Sequence, residues 1–110
     1  MWIPISLNEL EDLILSGESE LTTELLNFWS LIKIQPQKWD EKTCGDEGGG
    51  FWVVAIFGNE VIYYNDIEEG FNVSEYGNYG EIKEYRCDQS ELNWVVGGLY
   101  KRFKPKSKIL

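Results

Sequence analysis

The closely spaced acidic residues of this chain are its main candidates for catalysis or metal binding. Asp46 and Glu47 are adjacent in a glycine-rich stretch, and Asp66 is followed closely by Glu68 and Glu69. Neighbouring carboxylates can bind Ca²⁺ or share the acid and base roles of a hydrolase. This spacing does not match a calcium-binding loop, and a chain with 19 acidic residues contains such pairs by chance. A solvated acidic rim is therefore favoured over a catalytic pair.

Other catalytic and metal-binding arrangements are excluded by composition. Histidine is absent, and Cys44 and Cys87 are the only cysteines. No Ser-His or Cys-His nucleophile pair can form, and two cysteines alone cannot hold a structural zinc ion. The glycines at 48–50 lack the Lys-Ser/Thr of a phosphate-binding loop. We predict no catalytic residue, cofactor or metal. An enzyme or small-ligand domain that uses Asp46 and Asp66 is the alternative.

The charge of the chain is unevenly distributed. Residues 1–100 contain five basic residues and all 19 acidic ones, a net charge of −14, and the other five basic residues fall in 101–110. So acidic a body repels nucleic acid phosphates, and we predict no nucleic acid partner. It attracts a basic protein and speeds the encounter. A surface charge that only prevents self-association is the simpler alternative.

Location and redox state are predicted from what the sequence lacks. No secretory signal, no apolar run near the ~18 residues that span a bilayer and no Cys-x-x-Cys pair is evident. These features predict a cytoplasmic protein with free thiols and no membrane partner. A disulfide between Cys44 and Cys87 stays open as an alternative if the two segments meet.

Two helices are predicted at the start of the chain. Ser6 and Glu9 have the spacing of a capping box, which predicts a helix from the next residue. Gly17 is expected to end that helix. Ser19 or Thr22 can cap a second helix with a wider apolar face.

An antiparallel meander is predicted to follow the helices. The run at 51–57 is apolar on both faces, which predicts a central strand covered on both sides. Gly58-Asn59 is a two-residue hairpin signal. Tyr85 and Cys87 are expected to face inward. The predicted strands are 51–57, 60–65, 71–75 and 81–87, with an edge strand or extended connection at 34–39 because of Pro36.

A final helix completes the predicted domain. Asp88 and Glu91 repeat the capping-box spacing, and the glycine pair at 97–98 inside the helix predicts a close approach to the sheet or an early helix end. Residues 1–103 are thus expected to form one α+β domain, with an N-terminal helical pair, an antiparallel meander of four or five strands and a C-terminal helix packed on the sheet. Residues 104–110 are expected to be a basic, frayed tail.

The middle of the chain resembles a known family. Residues 45–51, Gly-Asp-Glu-Gly-Gly-Gly-Phe, lead into an apolar strand, and residues 61–66, Val-Ile-Tyr-Tyr-Asn-Asp, follow it. Over residues 44–68 this pattern is similar to the SUKH superfamily. The resemblance implies a small α+β protein, and many such proteins are immunity proteins that bind and neutralise bacterial toxins. It assigns no toxin-contacting residue to this chain.

The favoured hypothesis is a non-catalytic binding protein, an immunity or antitoxin-like inhibitor that binds a basic toxin through an acidic surface. A scaffold protein or homodimer built through an exposed strand edge is a third hypothesis, so that the chain is expected to be a monomer or a homodimer. Ordinary turn packing explains Tyr76 and Tyr79 equally well. The residues predicted to contact a partner are Asp46, Glu47, Asp66, Glu68, Glu69, Glu75, Tyr76 and Tyr79.

Overall fold

The computed structural model describes residues 2–103, which form an α+β domain. Two helices come first, a four-stranded antiparallel sheet follows, and a third helix packs on the sheet. In chain order the elements are α1 (Leu7–Glu18), α2 (Thr23–Ile32), β1 (Lys33–Trp39), a 3₁₀ turn (Gly45–Gly48), β2 (Phe51–Phe57), β3 (Glu60–Asn65), β4 (Gly70–Glu75) and α3 (Leu92–Phe103). The predicted fold class is confirmed. The predicted tail at 104–110 lies outside the described residues.

Helix α1 begins where its capping box predicts. The Ser6 hydroxyl accepts a hydrogen bond from the Glu9 N–H at 3.2 Å, and the Glu9 carboxylate accepts one from the Ser6 N–H at 3.2 Å. The expected end at Gly17 is wrong, because the helix continues to Glu18. A Cβ at Gly17 would lie 2.7 Å from the Cβ of Leu92, so this glycine permits close contact between α1 and α3.

Helix α2 is capped by one of the two predicted residues. The hydroxyl of Thr22 accepts a hydrogen bond from the Leu25 N–H at 3.3 Å. Phe28, Trp29 and Ile32 form its buried face. Strand β1 follows without a loop, and within the described residues none of the helices is both long and apolar enough to cross a membrane.

The sheet is a simple meander in the order β1-β2-β3-β4, with every neighbouring pair antiparallel. Gly58, at a φ of 61°, forms the tight turn between β2 and β3. Strand β1 lies at one edge, as Pro36 predicts, and its pairing with β2 is interrupted between Lys33 and Gln37. Strand β4 forms the other edge.

The two faces of the sheet are covered differently. The three helices pack over one face, and a first core of aliphatic and aromatic side chains lies between them and the sheet. The other face is covered by residues 76–90, which we call the covering segment, and this second core includes Trp39, Phe51, Tyr63 and Ile82. The expectation that β2 is buried on both faces is confirmed.

The covering segment is not the fifth strand that we expected at 81–87. Among the described residues its ladder contacts are limited to single bridges, Asp40 with Glu81 and Phe71 with Ser90. Buried side chains hold it instead. The Tyr63 hydroxyl accepts from the Arg86 N–H at 2.7 Å and donates to the Glu84 carbonyl at 3.0 Å.

Two asparagines complete this attachment. Asn65 donates to the Arg86 carbonyl at 2.8 Å, and Asn72 exchanges two hydrogen bonds with the main chain of Asp88. Tyr85 packs against the second core as expected. Cys87 is exposed, so its predicted inward position is wrong.

Helix α3 begins later than predicted. The N–H of Asp88 is bound to Asn72, and the helix starts at Leu92, so no capping box forms between Asp88 and Glu91. Neither explanation expected for the glycine pair is correct. The helix runs on to Phe103, a Cβ at Gly97 would meet only a side chain of α2 at 3.8 Å, and one at Gly98 would meet nothing within 4 Å.

Candidate functional site

The structure divides the predicted contact residues into two groups. One group follows the end of β3 or precedes the start of β2, which is the same end of the sheet because these strands are antiparallel. We call it the acidic rim: Asp46, Glu47, Asp66, Glu68 and Glu69. Glu75, Tyr76 and Tyr79 follow β4 at the opposite end of the β3–β4 pair. The eight residues therefore do not form one surface.

The loop that carries Asp46 and Glu47 is built around Glu41. Glu41 is only 2% exposed, and its carboxylate accepts hydrogen bonds from the N–H groups of Thr43, Cys44 and Gly45 at 3.1, 2.8 and 2.9 Å. Burial alone raises the pKa of Glu41, but these hydrogen bonds outweigh it and hold the pKa below its ordinary value. The sequence interpretation missed this residue. A glutamate four positions before a glycine at a tight turn was the available signal.

The glycines of this loop serve the backbone. Gly50 has a φ of 96°, and a Cβ there would lie 2.1 Å from the carbonyl oxygen of Trp39. The ring of Trp2 covers Gly48, where a Cβ would lie 2.3 Å from it. Gly48 and Gly50 therefore allow Trp2 and the Trp39 carbonyl to approach the loop backbone closely.

Asp46 and Asp66 each hold a neighbouring segment in place. Asp46 accepts the Glu41 N–H at 2.9 Å, and Asp66 accepts the Ile5 N–H through Oδ2 at 2.6 Å. The other oxygen of Asp66 is buried and has no hydrogen bond partner among residues 2–103. These contacts stabilise the loop and the N-terminal segment. The two carboxylates bind different main-chain groups, so Asp46 and Asp66 share no hydrogen-bond partner in these contacts.

Lys38 lies near Asp66 and belongs to the same end of the sheet. Its ammonium donates to the Gly50 carbonyl at 3.2 Å and lies 5.1 Å above the Trp52 ring. Burial lowers the pKa of Lys38, while the charge of Asp66 opposes that shift. The positive charge of Lys38 therefore compensates Asp66 rather than the outer carboxylates of the rim.

Glu68 and Glu69 form the outer part of the rim. The side chain of Asn65 accepts the N–H groups of Ile67 and Glu68 at 3.0 and 3.2 Å, which fixes the turn between β3 and β4. Glu69 is exposed and has a φ of 61°. Within residues 2–103, no lysine or arginine nitrogen lies within 4.0 Å of the carboxylates of Glu47, Glu68 or Glu69.

The second group has more partners within the chain. Glu75 is 3.9 Å from the Lys83 ammonium. Tyr76 donates to the Gly58 carbonyl at 2.9 Å, and its ring lies 5.2 Å from that of Trp39. Tyr79 also packs on Trp39 and remains 64% exposed. Turn packing accounts for Tyr76, and Tyr79 retains a free face.

The carboxylates of the rim do not converge on a metal site within residues 2–103. In the described part of the chain, no group of three or more Asp, Glu, Cys or His side chains is placed to hold a metal ion. Cys44 and Cys87 are both free thiols. The disulfide that the sequence left open is therefore not formed.

A groove that the sequence did not predict runs along the outer edge of β4, which is hydrogen-bonded to the covering segment at Phe71 and at Glu75 and is open between them. We call it the β4 groove. Its volume is about 500 Å³ and its floor is the edge from Phe71 to Glu75. One wall is α3, with Trp94 at 72% exposure, and the other wall is the covering segment. The groove is present because residues 81–90 leave the plane of the sheet, and no local sequence pattern indicates that they do.

The arrangement is thus an acidic rim on a fixed loop and turn, and a groove beside the partly open edge of β4. No family model, curated protein or solved structure matches this chain, so a functional proposal depends on these two features.

Proposed function

We propose that this chain is a non-catalytic binding protein whose acidic rim contacts a basic protein, most concretely an immunity protein that inhibits a bacterial toxin. The observation that carries the proposal is the uncompensated charge of Glu47, Glu68 and Glu69, which have no cationic neighbour within 4.0 Å in residues 2–103. The similarity of residues 44–68 to SUKH domains favours a toxin as the partner.

Charge alone does not define a site, but this charge is held in a fixed geometry. Buried Glu41 fixes the loop that carries Glu47, and Asn65 fixes the turn that carries Glu68 and Glu69. A preorganised surface loses less conformational entropy on binding than a mobile one. The net charge of −14 over residues 1–100 adds long-range attraction that accelerates the encounter with a basic surface.

In this proposal the chain inhibits the toxin by binding it and catalyses no reaction itself. A carboxylate rim beside a basic cleft would occupy the place of an anionic substrate, and association would be fast at low salt. Inhibition would follow from occlusion. No group of this chain needs to react.

The test uses the protein encoded next to this chain as the probe. Stopped-flow mixing gives the association rate at about 0.05 M and 0.5 M salt, where screening differs strongly. We expect Glu68→Lys/Glu69→Lys to lower the association rate at low salt by about tenfold or more. The matched control is Glu11→Lys/Asp12→Lys on α1, which makes the same charge change on two adjacent residues of similar exposure.

The control distinguishes a site from bulk charge. If the association rate falls by the same factor in both double variants, the rim is not the contact surface and only the net charge of the chain affects binding. If neither variant alters binding, or if the neighbouring protein does not bind, the proposed function is wrong. Rescue of growth by the wild-type chain, but not by the rim variant, would support the toxin inhibitor specifically.

A further inference from the structure

We propose that the β4 groove binds an extended basic peptide segment, which adds to β4 as a further strand. This inference rests on the proposed function only for the basic character of the partner. The strand edge, the walls and the charges of the groove are independent of the acidic rim.

The backbone of β4 supplies a vacant pairing position. The N–H of Phe71 donates to the Ser90 carbonyl at 2.9 Å, so it faces away from β3. Backbone groups of a strand alternate in direction, and therefore Val73 and Glu75 also face outward. The carbonyl of Glu75 accepts the Lys83 N–H at 3.3 Å. Val73, between these two contacts, is left with its N–H and C=O facing the groove.

The α3 wall is shaped to admit a chain beside that position. Gly98 lines the groove, and a Cβ there would meet nothing within 4 Å. Glycine is costly inside a helix, and no contact within the described residues requires it at this position. Close approach of a ligand to α3 would explain why residue 98 is a glycine. Trp94, at 72% exposure, extends an aromatic surface beside the same space.

The charges of the groove favour a basic ligand. Its lining has four carboxylates and two guanidinium groups, which leaves a net charge of −2. Glu60 is paired with Arg102 at 3.0 Å, Glu84 with Arg86 at 3.6 Å, and Glu75 with Lys83, which lies outside the lining, at 3.9 Å. No ion pair of Asp88 is present in residues 2–103. Its carboxylate lies on the wall formed by the covering segment and is available to a ligand cation.

The two walls predict an alternating ligand sequence. Side chains of an added strand point alternately to the two faces of the sheet, and those opposite Val73 point to the same face as Val73. That face carries the apolar side chains of α3, including Val95 and Leu99, and the other face carries Glu84 and Asp88. An apolar residue paired with Val73 and flanked by lysines fits this pattern. The open part of the edge is short, because Ser90 and Lys83 occupy the positions beside Phe71 and Glu75.

The probe is the blocked tripeptide acetyl-Lys-Val-Lys-amide, titrated into the ¹⁵N-labelled full chain. We expect the largest amide shifts at Val73 and Gly98. The same peptide with its valine nitrogen methylated keeps its charge and loses the donor that would face the Val73 carbonyl, and it should bind at least about fivefold more weakly. Equal affinity of the two peptides, or shifts confined to the acidic rim, would overturn strand addition.

Two variants test the groove without disturbing the fold. Gly98→Leu fills it and replaces glycine by a better helix former, so peptide affinity should fall at least about tenfold while the melting temperature does not fall. Gly97→Ala is the matched control, since it also improves the helix but faces α2, and its affinity should stay within about twofold. Unchanged binding by Gly98→Leu would refute the site.

Light scattering of the full chain tests whether a second copy of the chain, and not a peptide of another protein, occupies the groove. If the wild type is a dimer that Gly98→Leu converts to a monomer, a second copy occupies the groove and the peptide proposal is wrong. The two proposals also fail separately. Loss of partner binding in Glu68→Lys/Glu69→Lys with no peptide binding anywhere would uphold the rim and remove the groove.

Discussion

Glu41 provides the sharpest test of how the acidic rim is held. Its carboxylate is 2% exposed and accepts three main-chain N–H groups: Cys44 and Gly45 bind Oε1, and Thr43 binds Oε2. Glu41→Gln keeps the shape of the side chain but retains one acceptor oxygen. If that oxygen stays with Cys44 and Gly45, the new amide group faces the Thr43 N–H across 3.1 Å, donor against donor.

The magnitude follows from these three bonds. A hydrogen bond to a charged acceptor contributes about 1.5–3 kcal/mol, against about 1 kcal/mol for a neutral one. One bond is lost and two are weakened, and relief from burying a charge offsets part of the loss. We expect Glu41→Gln to lower the free energy of unfolding by about 2–3 kcal/mol. In a domain of this size that corresponds to a melting temperature about 10 °C lower.

The pH dependence has a definite sign. The pKa of Glu41 in the folded state lies below its ordinary value of 4.5, so its stabilising contribution is complete above that value and is lost as the pH falls through the folded pKa. The difference in unfolding free energy between wild type and Glu41→Gln should therefore narrow as the pH is lowered below 4.5.

Urea unfolding, followed by circular dichroism at several pH values, measures both effects. Glu47→Gln is the matched control in the same loop, because Glu47 is exposed, and its change should stay within about 0.5 kcal/mol. Amide hydrogen exchange at Cys44 and Gly45 should accelerate in Glu41→Gln only. A loss below about 0.5 kcal/mol, or a difference that does not narrow in acid, would refute the reasoning.

Two further predictions concern the covering segment and the thiols. Tyr63→Phe removes the hydroxyl that binds the Arg86 N–H and the Glu84 carbonyl. The free energy of unfolding, measured by urea titration, should therefore fall by about 1–2 kcal/mol. An unchanged free energy of unfolding would contradict this attachment of the covering segment. A thiol reagent should label exposed Cys87 before half-buried Cys44, and both after unfolding, and fewer than two reactive thiols in the unfolded chain would contradict the free state of both.

Local patterns predict those parts of this fold that local interactions decide. The capping box of Ser6 and Glu9 forms, and the turn at Gly58 joins the two strands expected on either side. Gly17 behaves differently from its local signal because a long-range contact with Leu92 requires it. Helix α1 then continues one residue further than the glycine suggests.

The candidate site shows the same division. The position of the acidic residues in loops and turns is evident from the glycines and asparagines around them, and the structure places Glu68 and Glu69 on such a turn. The role of Glu41 is not evident, because its one local signal, a glycine four residues later, does not indicate that three N–H groups will close around the carboxylate. The sequence does not indicate at which end of the sheet each acidic residue lies. The predicted site therefore combined Glu75, Tyr76 and Tyr79 with residues at the other end of the sheet.

The error at 81–87 and the β4 groove have one physical cause. Polar side chains of β3 and β4 point into the second face, where Tyr63 and Asn72 bind the main chain of the covering segment. A segment held by side chains lies above the sheet, whereas a fifth strand would lie beside β4 in its plane. The edge of β4 is consequently unpaired at Val73. The buried polar residues that prevent a fifth strand thus leave space for a strand from another molecule.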